Sequence, residues 1–368
     1  MFTPGDPERL RTAIGVTAPV LQSGMGGVAG PELVAAVCNA GGLGILAALN
    51  LRPDAVRDAI RRVRELTDRP FGVNIWLHDD VRSPPDVSDH ADLVRSVQSV
   101  FNELRPRFEL PATLEAPRPM PDLVDAALEV MIDERIPVFS AGLGIPEPEL
   151  VEQFHSVDAK VVTMVATTAD ARSAVDCGSD VVIAQGLEAG GHRSHGRKLT
   201  AGEAAGTGTF TLVPQVIEAI GDRVPVVAAG GIVDGRGLAA AMMLGASGVL
   251  MGTRFVATAE SQASRLWKDR LTSGAGTTVL TDGFTGQWAR VLRSDFTDHW
   301  AAYGGQPLPG LLQAAARADM QRAAVLADDD QMQPLYAGAG FDLLSDLPSA
   351  GEVVTRVVQE ARELLGRT

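Results

Sequence analysis

The chain of 368 residues has few cysteines and no long hydrophobic run, and these absences argue against secreted and membrane proteins. Its two cysteines, Cys38 and Cys177, fall far apart within helical patterns, which is typical of buried apolar thiols. A catalytic thiol is the minor alternative. No stretch of about 18 apolar residues indicates a membrane span, and the start, MFTPGDPERLRTA, lacks a signal-peptide pattern. We therefore expect a cytoplasmic protein with no membrane partner.

Positive charge is also scarce in this sequence. Lys and Arg number 32 against 46 Asp and Glu, which gives a net charge of −14 and a pI near 4.9. Such an acidic chain argues against non-specific binding of nucleic acid, so we expect no nucleic-acid partner. Any anionic ligand needs a local positive region. With 45% hydrophobic and 21% charged residues, the composition is typical of a globular protein with one barrel-sized domain and an appendage.

Short apolar strands alternate with amphipathic helices along most of the chain. The predicted strands are APVLQS (18–23), GLGILAAL (42–49), PFGVNIWL (70–77), IPVFSAGLG (136–144), KVVTMVAT (160–167), DVVIAQGLE (180–188), VPVVAAGGI (224–232) and GVLMGTRFV (248–256). They are continuous apolar runs, as in parallel strands that helices cover on both faces. These eight strand–helix units predict an α/β protein with a (β/α)8 TIM barrel. An open six-stranded Rossmann sheet, the competing fold, would leave two strands unassigned.

Two stretches fall outside this repeat. Residues 78–120 form a polar, Pro-rich insertion after the third strand, and its position makes it a candidate lid over the barrel mouth. Residues 257–344 contain a hairpin pattern, TTVLTDGFTGQWARVL, and several short helices, which predict a small cap that contacts substrate. Residues 345–368 predict a final helix that returns to the barrel. The barrel itself is then expected to span residues 1–256.

The stretch SGMGGVAGPEL (23–33) fits the dinucleotide-binding pattern G-x-G-x-x-A through Gly24, Gly26 and Ala29. That fingerprint also needs an acidic residue at the end of the following strand, where it binds a ribose hydroxyl. Here the following strand ends at Asn50, and the first carboxylate, Asp54, lies inside the next helix. We therefore expect this turn to line a cofactor site at the barrel mouth without being a dinucleotide fingerprint.

Glycines recur at the carboxyl ends of the predicted strands, where barrel enzymes hold their active sites. AAGGIVDGRG (228–237) follows the seventh strand and MGTRF (251–255) follows the eighth. The backbone N–H groups of such loops can approach a phosphate, and the dipole of the following helix favours its charge. The alternative is that Gly230 and Gly231 only permit a tight turn. Two adjacent loops of this kind favour a phosphate site.

Four motifs together resemble those of a known family: LQSGMGGVAGPELVAAVCNAGGLG, GVNIW, QGLEAGGHRSH and AAGGIVDGRGLAAAMMLGASGVLMGTRF. The sequence resembles FMN-dependent nitronate monooxygenases, formerly called 2-nitropropane dioxygenases. Flavin enoyl-ACP reductases of the same superfamily share much of the pattern. The resemblance spans residues 18–256 and continues weakly through GFTGQWARVLRSDF and QPLYAGAG. Its most specific part is QGLEAGGH.

The resemblance implies an FMN cofactor, and it implies contacts to that cofactor from Gly24, Met25, Asn74, Gln185, Gly190, Gly231, Leu250, Met251, Gly252 and Thr253. It also implies that His192 is the catalytic base. The chain departs from the family pattern at Gly24, where family members often have proline, and at Ala339, where they often have glutamine. The segment NIWLHDD only partly resembles the family. These departures bear on substrate identity more than on flavin binding.

His192 also suits the role of a base on physical grounds. A neutral imidazole, with an ordinary pKa of about 6.5, can take a proton from carbon if it reaches over the flavin face. Gly190 and Gly191 allow the loop to come that close. The alternatives are a surface-loop role for His192 and a catalytic role for His195. The six histidines lack metal-ligand spacing, so we expect no metal site.

Charged residues near His192 have expected roles too. Glu188 is predicted to brace the loop. Arg193, Arg197 and Lys198 predict a local positive region that attracts a nitronate or a carboxylate, and a solvated basic loop is the alternative. Arg254 follows the second glycine loop and is predicted either to pair with phosphate or to be structural.

The resemblance implies that small-molecule alkyl nitronates or nitroalkanes are oxidised by O2 to carbonyl compounds and nitrite. His192 would remove the α-proton when the neutral nitroalkane is bound. The alternative is an NAD(P)H-dependent FMN reductase that acts on enoyl thioesters or quinones. A flavin-binding protein without turnover is a third hypothesis, which a lysine or alanine at position 192 would favour; histidine stands there.

Overall fold

The computed structural model describes residues 5–82, 85–195 and 199–366. Its strands are β1 (Val20–Gln22), β2 (Leu43–Ala47), β3 (Gly72–Trp76), β4 (Val138–Gly142), β5 (Lys160–Val165), β6 (Val181–Gln185), β7 (Gly191–His192), β8 (Val226–Ala229), β9 (Gly248–Met251), β10 (Thr278–Thr281) and β11 (Ala289–Leu292). Eight of them form a closed parallel barrel in the order β1-β2-β3-β4-β5-β6-β8-β9. Pairing of Val20 with Val249 joins β1 to β9 and closes the ring. The predicted TIM barrel is confirmed, and closure excludes the open Rossmann sheet.

Helices follow the barrel strands and form the outer layer. The α-helices are α1 (Pro7–Ile14), α2 (Pro31–Asn39), α3 (Pro53–Leu66), α4 (Asp79–Arg82), α5 (Ala91–Leu104), α6 (Val124–Asp133), α7 (Pro148–His155), α8 (Thr168–Asp176), α9 (Ala201–Ala205), α10 (Thr209–Ile220), α11 (Gly235–Met243), α12 (Thr253–Val256), α13 (Arg265–Thr272), α14 (Asp295–Tyr303), α15 (Leu312–Ala316), α16 (Ala318–Leu326) and α17 (Ala350–Leu364). Short 3₁₀ helices span Val87–His90, Arg105–Phe108 and Phe341–Leu343. Proline begins α1, α2, α3 and α7, where its missing N–H leaves no hydrogen bond unmade.

The barrel interior is filled with aliphatic side chains. Strands β4 and β6 are buried along their whole length, as expected for strands covered on both faces. Leu21, Ile45 and Val227 pack inside the ring, and Leu10 of α1 belongs to the same cluster. Because α1 precedes β1, it packs at the amino ends of the strands. The carboxyl ends of the strands, at the opposite end of the barrel, are left open for an active site.

The insertion after β3 and the cap share one hydrophobic cluster. Phe101 of α5 packs against Phe296 and Trp300 of α14, with ring centroids 6.1 and 5.9 Å apart. Arg105, only 1% exposed, ties the two segments together. Its guanidinium donates hydrogen bonds to the Asp319 carboxylate at 3.1 Å and to the Ala316 carbonyl at 3.2 Å. The insertion and the cap therefore form one body.

The predicted hairpin is present as β10 and β11, and β11 also pairs with β7. In this antiparallel pairing, Ala289 lies opposite His192 and Arg290 lies opposite Gly191. The two residues of β7 are too few to give a strand pattern in the sequence. The final helix, α17, packs against α11 and α2. No helix within the described ranges is long and apolar enough to cross a membrane.

Candidate active site

The carboxyl ends of the barrel strands surround a cavity of about 420 Å³. His192 lines this cavity, together with nine of the ten expected cofactor contacts: Gly24, Met25, Asn74, Gln185, Gly190, Gly231, Leu250, Gly252 and Thr253. Met251 is the exception. Side chains alternate along β9, so Leu250 faces the barrel interior while Met251 packs among the helices, 1% exposed. The contact expected from Met251 runs through its backbone, so it stays a prediction although the residue is not part of the cavity lining.

Two glycine loops form one wall of the cavity. Gly230 and Gly231 follow β8 with φ values of 115° and 70°, a region that residues with a Cβ rarely adopt. Gly252 follows β9, and a Cβ there would meet only Met25 Sδ at 3.6 Å and Ser23 Cβ at 3.9 Å, both at the cavity. The sequence therefore leaves bare backbone at both loops.

The amino end of α11 was expected to favour a phosphate bound at the glycine loop, but its N–H groups already have partners. The Asp234 carboxylate accepts hydrogen bonds from the N–H groups of Arg236 at 3.0 Å and Gly237 at 3.4 Å. The Glu360 carboxylate accepts one from the Gly235 N–H at 2.9 Å. Because carboxylates already occupy the first donors of the helix, any phosphate here depends on the loop backbone.

The segment around Gly338 crosses both loops at close range. The Gly338 N–H donates to Thr253 Oγ1 at 2.9 Å, and the Ala339 N–H donates to the Glu188 carbonyl at 2.8 Å. A Cβ on Gly190 would lie 2.5 Å from the Gly338 nitrogen, which explains glycine at position 190. Ala339, a departure from the family pattern, lies in this crossing.

Glu188 braces its loop as expected. Its carboxylate accepts hydrogen bonds at 2.8 Å from both the N–H and the hydroxyl of Thr209, the first residue of α10. A carboxylate at the amino end of a helix is stabilised by the helix dipole. The loop between β6 and β7 is thereby attached to α10.

Gly24 and Asn74 meet on the opposite side of the cavity. A Cβ on Gly24 would lie 2.6 Å from Asn74 Cβ, so this close approach requires glycine. The Asn74 amide donates hydrogen bonds at 3.0 Å to both the carbonyl and the hydroxyl of Ser140. These bonds fix the amide at the cavity wall.

Gln185, at the end of β6, holds the strand that carries His192. Its Nε2 donates to the His192 carbonyl at 2.8 Å, and its Oε1 accepts from the Ser194 N–H at 2.8 Å. One amide thus binds the backbone on either side of Arg193, directly after His192. Gln185 therefore contributes to the position of His192 as well as to the cavity wall.

The His192 imidazole lies between aromatic rings and a hydroxyl. Its ring centroid is 4.5 Å from Trp76 in an edge contact and 5.2 Å from Tyr336. Its Nε2 lies 2.9 Å from Thr285 Oγ1. Burial lowers the pKa of His192 to about 4, because the charged form loses its hydration. The imidazole is therefore neutral near pH 7.

The other histidines lie elsewhere. His195 and His78 are buried, 7% and 8% exposed, and neither lines the cavity. His155 pairs with Asp180 at 2.9 Å away from it. In the ranges 5–82, 85–195 and 199–366, no group of three or more His, Cys, Asp or Glu residues is placed to hold a metal ion.

The expected positive region is only partly described. Arg193 does not face a substrate: it is 3% exposed, and its guanidinium donates to the Gly186 carbonyl at 2.6 Å. Burial lowers its pKa to about 10. Arg197 and Lys198 lie outside the described residues. Within the described part of the chain, no Lys, Arg, Asp or Glu side chain lines the cavity.

Arg254 and the cysteines are structural in this arrangement. Arg254 pairs with Asp346 at 2.7 Å and donates to the Ala257 carbonyl, so it anchors the segment before α17. Cys38 is buried, and burial raises the pKa of its thiol to about 12. Neither Cys38 nor Cys177 lines the cavity. The alternative of a catalytic thiol has no support.

Among the cavity residues missed by sequence reasoning are three that contact His192: Trp76, Thr285 and Tyr336. Trp76 ends β3 and lies within the motif GVNIW, so its position at a strand end was a usable signal. Thr285 belongs to the β10–β11 turn and Tyr336 to the later Gly-rich segment. Their contact with His192 depends on the pairing of β11 with β7, which no local pattern predicts.

Two sequence comparisons show which known proteins this chain resembles. A sequence model of the nitronate monooxygenase family matches residues 8–360. A curated relative, a probable nitronate monooxygenase from Staphylococcus saprophyticus, is 33% identical, and the match covers 98% of this chain and 99% of the relative.

Solved structures are similar over the same length. The nitroalkane oxidase from Streptomyces ansochromogenes has a TM-score of 0.87 and 34% identity, with 97% of this chain and 99% of that chain covered. FabK from Thermotoga maritima has a TM-score of 0.75 and 30% identity, with 100% and 98% covered. The family match spans nearly the whole chain, and both the barrel and its cavity lie within it. The chain therefore belongs to the nitronate monooxygenase family of oxidoreductases.

Proposed function

We propose that the protein binds FMN at the barrel mouth and oxidises alkyl nitronates and nitroalkanes. O2 is the co-substrate, and a carbonyl compound and nitrite are the products. The observation that carries this proposal is a neutral imidazole, His192, on the wall of a cavity whose opposite parts are glycine backbone. Membership of the nitronate monooxygenase family and likeness to a nitroalkane oxidase support it.

The residues present fit a flavin mononucleotide. The backbone of Gly230–Gly231 and Gly252–Thr253 would hold the phosphate, because these loops expose main chain and carry no acidic side chain toward the cavity. The turn at Gly24–Met25 and the amides of Asn74 and Gln185 would contact the ring system. Leu250 and Gly190 complete the wall. The flavin would accept electrons from the substrate carbon and pass them to O2.

His192 would act as the base for neutral nitroalkanes. Burial keeps it uncharged, and an uncharged imidazole has a lone pair for the α-proton. Trp76 and Tyr336 pack beside the ring. A nitronate has already lost that proton, so its oxidation needs no base. The same cavity would then bind both forms of the substrate.

The segments outside the barrel would form the roof of the site. Met120 of the insertion, and Trp267, Leu311 and Tyr336 of the cap, line the cavity together. We therefore propose that residues 78–120 act with the cap, residues 257–344, as one lid over the barrel of residues 1–256. Residues 345–368 would attach this end of the chain to the barrel through α17.

An NAD(P)H-dependent FMN reductase acting on enoyl thioesters or quinones is the second candidate, since FabK is also similar in structure. One observation favours the first candidate: the nitroalkane oxidase superimposes with the higher TM-score, 0.87 against 0.75.

The test is anaerobic mixing of the purified protein with a nitronate and, separately, with NADH and NADPH, while the flavin absorbance is followed. We expect the nitronate to bleach the flavin and the nicotinamides not to. Released cofactor is identified by mass, and FMN is expected at one per chain. Bleaching by NADH or NADPH alone would favour the reductase, and release of FAD would contradict the cofactor assignment.

A further inference from the structure

The imidazole of His192 has a polar partner outside the barrel. Its Nε2 lies 2.9 Å from the hydroxyl oxygen of Thr285, which belongs to the turn of the β10–β11 hairpin. Thr285 also lines the cavity. The same hairpin pairs with the backbone of His192 through Ala289. The cap thus holds both the main chain and the side chain of the expected base.

The hydroxyl of Thr285 has only one hydrogen to donate. The Gln287 carbonyl oxygen, 3.3 Å away, can only accept, so the bond between them requires that hydrogen. The Gln287 N–H, 3.4 Å away, donates to the same oxygen. If the Thr285 hydrogen is directed to the Gln287 carbonyl, His192 Nε2 is the donor in the 2.9 Å contact. A neutral imidazole that carries its hydrogen on Nε2 has a lone pair on Nδ1.

We propose that Thr285 is a positioning residue that fixes His192 as the Nε2–H tautomer and leaves Nδ1 as the proton acceptor. The role of that acceptor rests on the proposed function. In the step, the α-C–H bond of the nitroalkane breaks and its electron pair stays with the substrate, which becomes the nitronate. The proton forms a new N–H bond at Nδ1, and His192 becomes an imidazolium.

A hydroxyl orients this base differently from a carboxylate. A carboxylate beside the imidazole would stabilise the charged form and raise the pKa. Among the described residues, Tyr336 is a titratable group whose ring contacts His192, and burial raises its pKa to about 12, so it stays uncharged. No carboxylate among the described residues lines the cavity. Thr285 would therefore select a tautomer without stabilising the charged form, and burial lowers the pKa of the imidazole.

The ring has little freedom to adopt the other arrangement. Gln185 holds the backbone from His192 to Ser194 through its amide. Trp76 packs against the imidazole at 4.5 Å. With backbone and ring both held, loss of the Thr285 hydroxyl should change the tautomer more than the position of the ring.

The direct test is nitrogen NMR of flavin-loaded protein labelled with ¹⁵N-histidine. His192→Asn assigns the His192 signals among the six histidines. We expect Nε2 of the wild type to bear the hydrogen and Nδ1 to be unprotonated. Thr285→Val, which removes the hydroxyl at nearly constant shape, should give a mixture of tautomers, and Thr285→Ser should restore the wild-type spectrum. A hydrogen on Nδ1 of the wild type, or an unchanged spectrum in Thr285→Val, would overturn the proposal.

The kinetic test separates positioning from a structural role. For the neutral nitroalkane, kcat of Thr285→Val should fall about tenfold with little change in KM, and Thr285→Ser should recover most of it. Oxidation of the preformed nitronate should fall by a clearly smaller factor. Equal losses on both substrates would contradict the positioning role.

Thr281→Val is the matched control. Thr281 lies in the same hairpin, but its hydroxyl accepts from the Gly283 N–H at 3.1 Å and the residue does not line the cavity. This variant should keep the ratio of the two activities. If wild-type protein turned over neither substrate, the proposed function would fail, whereas the NMR spectrum would still decide the tautomer.

Discussion

The barrel side and the cap side of the cavity differ in how much glycine main chain and how many functional side chains they present. The barrel wall presents glycine backbone at the strand ends, at Gly24, Gly231 and Gly252, beside side chains such as those of Asn74 and Gln185. The cap wall contributes the side chains of Thr285 and Tyr336. A glycine wall can approach a cofactor closely but distinguishes little between substrates. Side chains on the cap contact the expected base and the space in front of it.

This difference predicts opposite sensitivities. On the barrel wall, substitutions that add atoms should reduce flavin binding, since a Cβ at Gly24 or Gly190 would lie 2.6 or 2.5 Å from neighbouring atoms. On the cap wall, substitutions that remove atoms should reduce turnover, because its hydroxyl and aromatic groups contact the expected base. Flavin content and turnover should therefore respond to changes in different regions.

The largest effect is expected from Gly231→Asp on the barrel wall. A carboxylate about 4 Å from the phosphate is repelled by roughly 4 kcal/mol at an effective dielectric near 20, so flavin should be lost. The flavin-to-protein absorbance ratio measures this. Gly231→Asn has the same size and the same strain at a φ of 70°, without the charge, and should retain much more flavin. Full flavin in the aspartate variant would place the phosphate elsewhere.

A smaller effect is expected from Arg105→Ala, which breaks the contact between insertion and cap. The variant loses the bonds to Asp319 and Ala316, and the apparent Tm should fall by roughly 2 to 3 °C, which corresponds to about 2 kcal/mol for a chain of this length. Scanning fluorimetry measures the shift. Arg107→Ala removes a more exposed guanidinium that pairs with Asp295 and Asp329, and it should shift the Tm less. Flavin content should stay unchanged in both variants. Loss of flavin in Arg105→Ala would show that cofactor binding depends on the contact between the insertion and the cap.

The smallest effect is a pH dependence set by His192. Burial lowers its pKa from 6.5 to about 4, so the neutral, active form persists as the pH falls through 6 and 5. Below about pH 4 the rate with the neutral nitroalkane should fall roughly tenfold per pH unit, since only the neutral form is a base. Stopped-flow pH jumps from neutral buffer measure this before acid unfolding. A loss of rate already centred at pH 6.5 would show that His192 is hydrated.

The barrel could be predicted from the sequence because each strand–helix unit carries its own local pattern. The strand-end glycines were readable for the same reason: Gly231 and Gly252 follow apolar runs directly. The contacts between the cap and His192 could not be predicted from the sequence. Contact between Thr285 and His192 depends on the β11–β7 pairing, which joins residues far apart in the chain. The buried position of Arg193 was missed because a basic run normally indicates a solvated loop.

The most direct measurement compares His192→Asn with the wild type on two substrates at equal flavin content. Asparagine keeps polarity and approximate size but removes the base. We predict that turnover of the neutral nitroalkane falls by about 10² to 10⁴ while oxidation of the preformed nitronate persists, because only the first needs proton abstraction. Full activity on the neutral nitroalkane, or equal loss on both substrates, would contradict the assignment of His192 as the base.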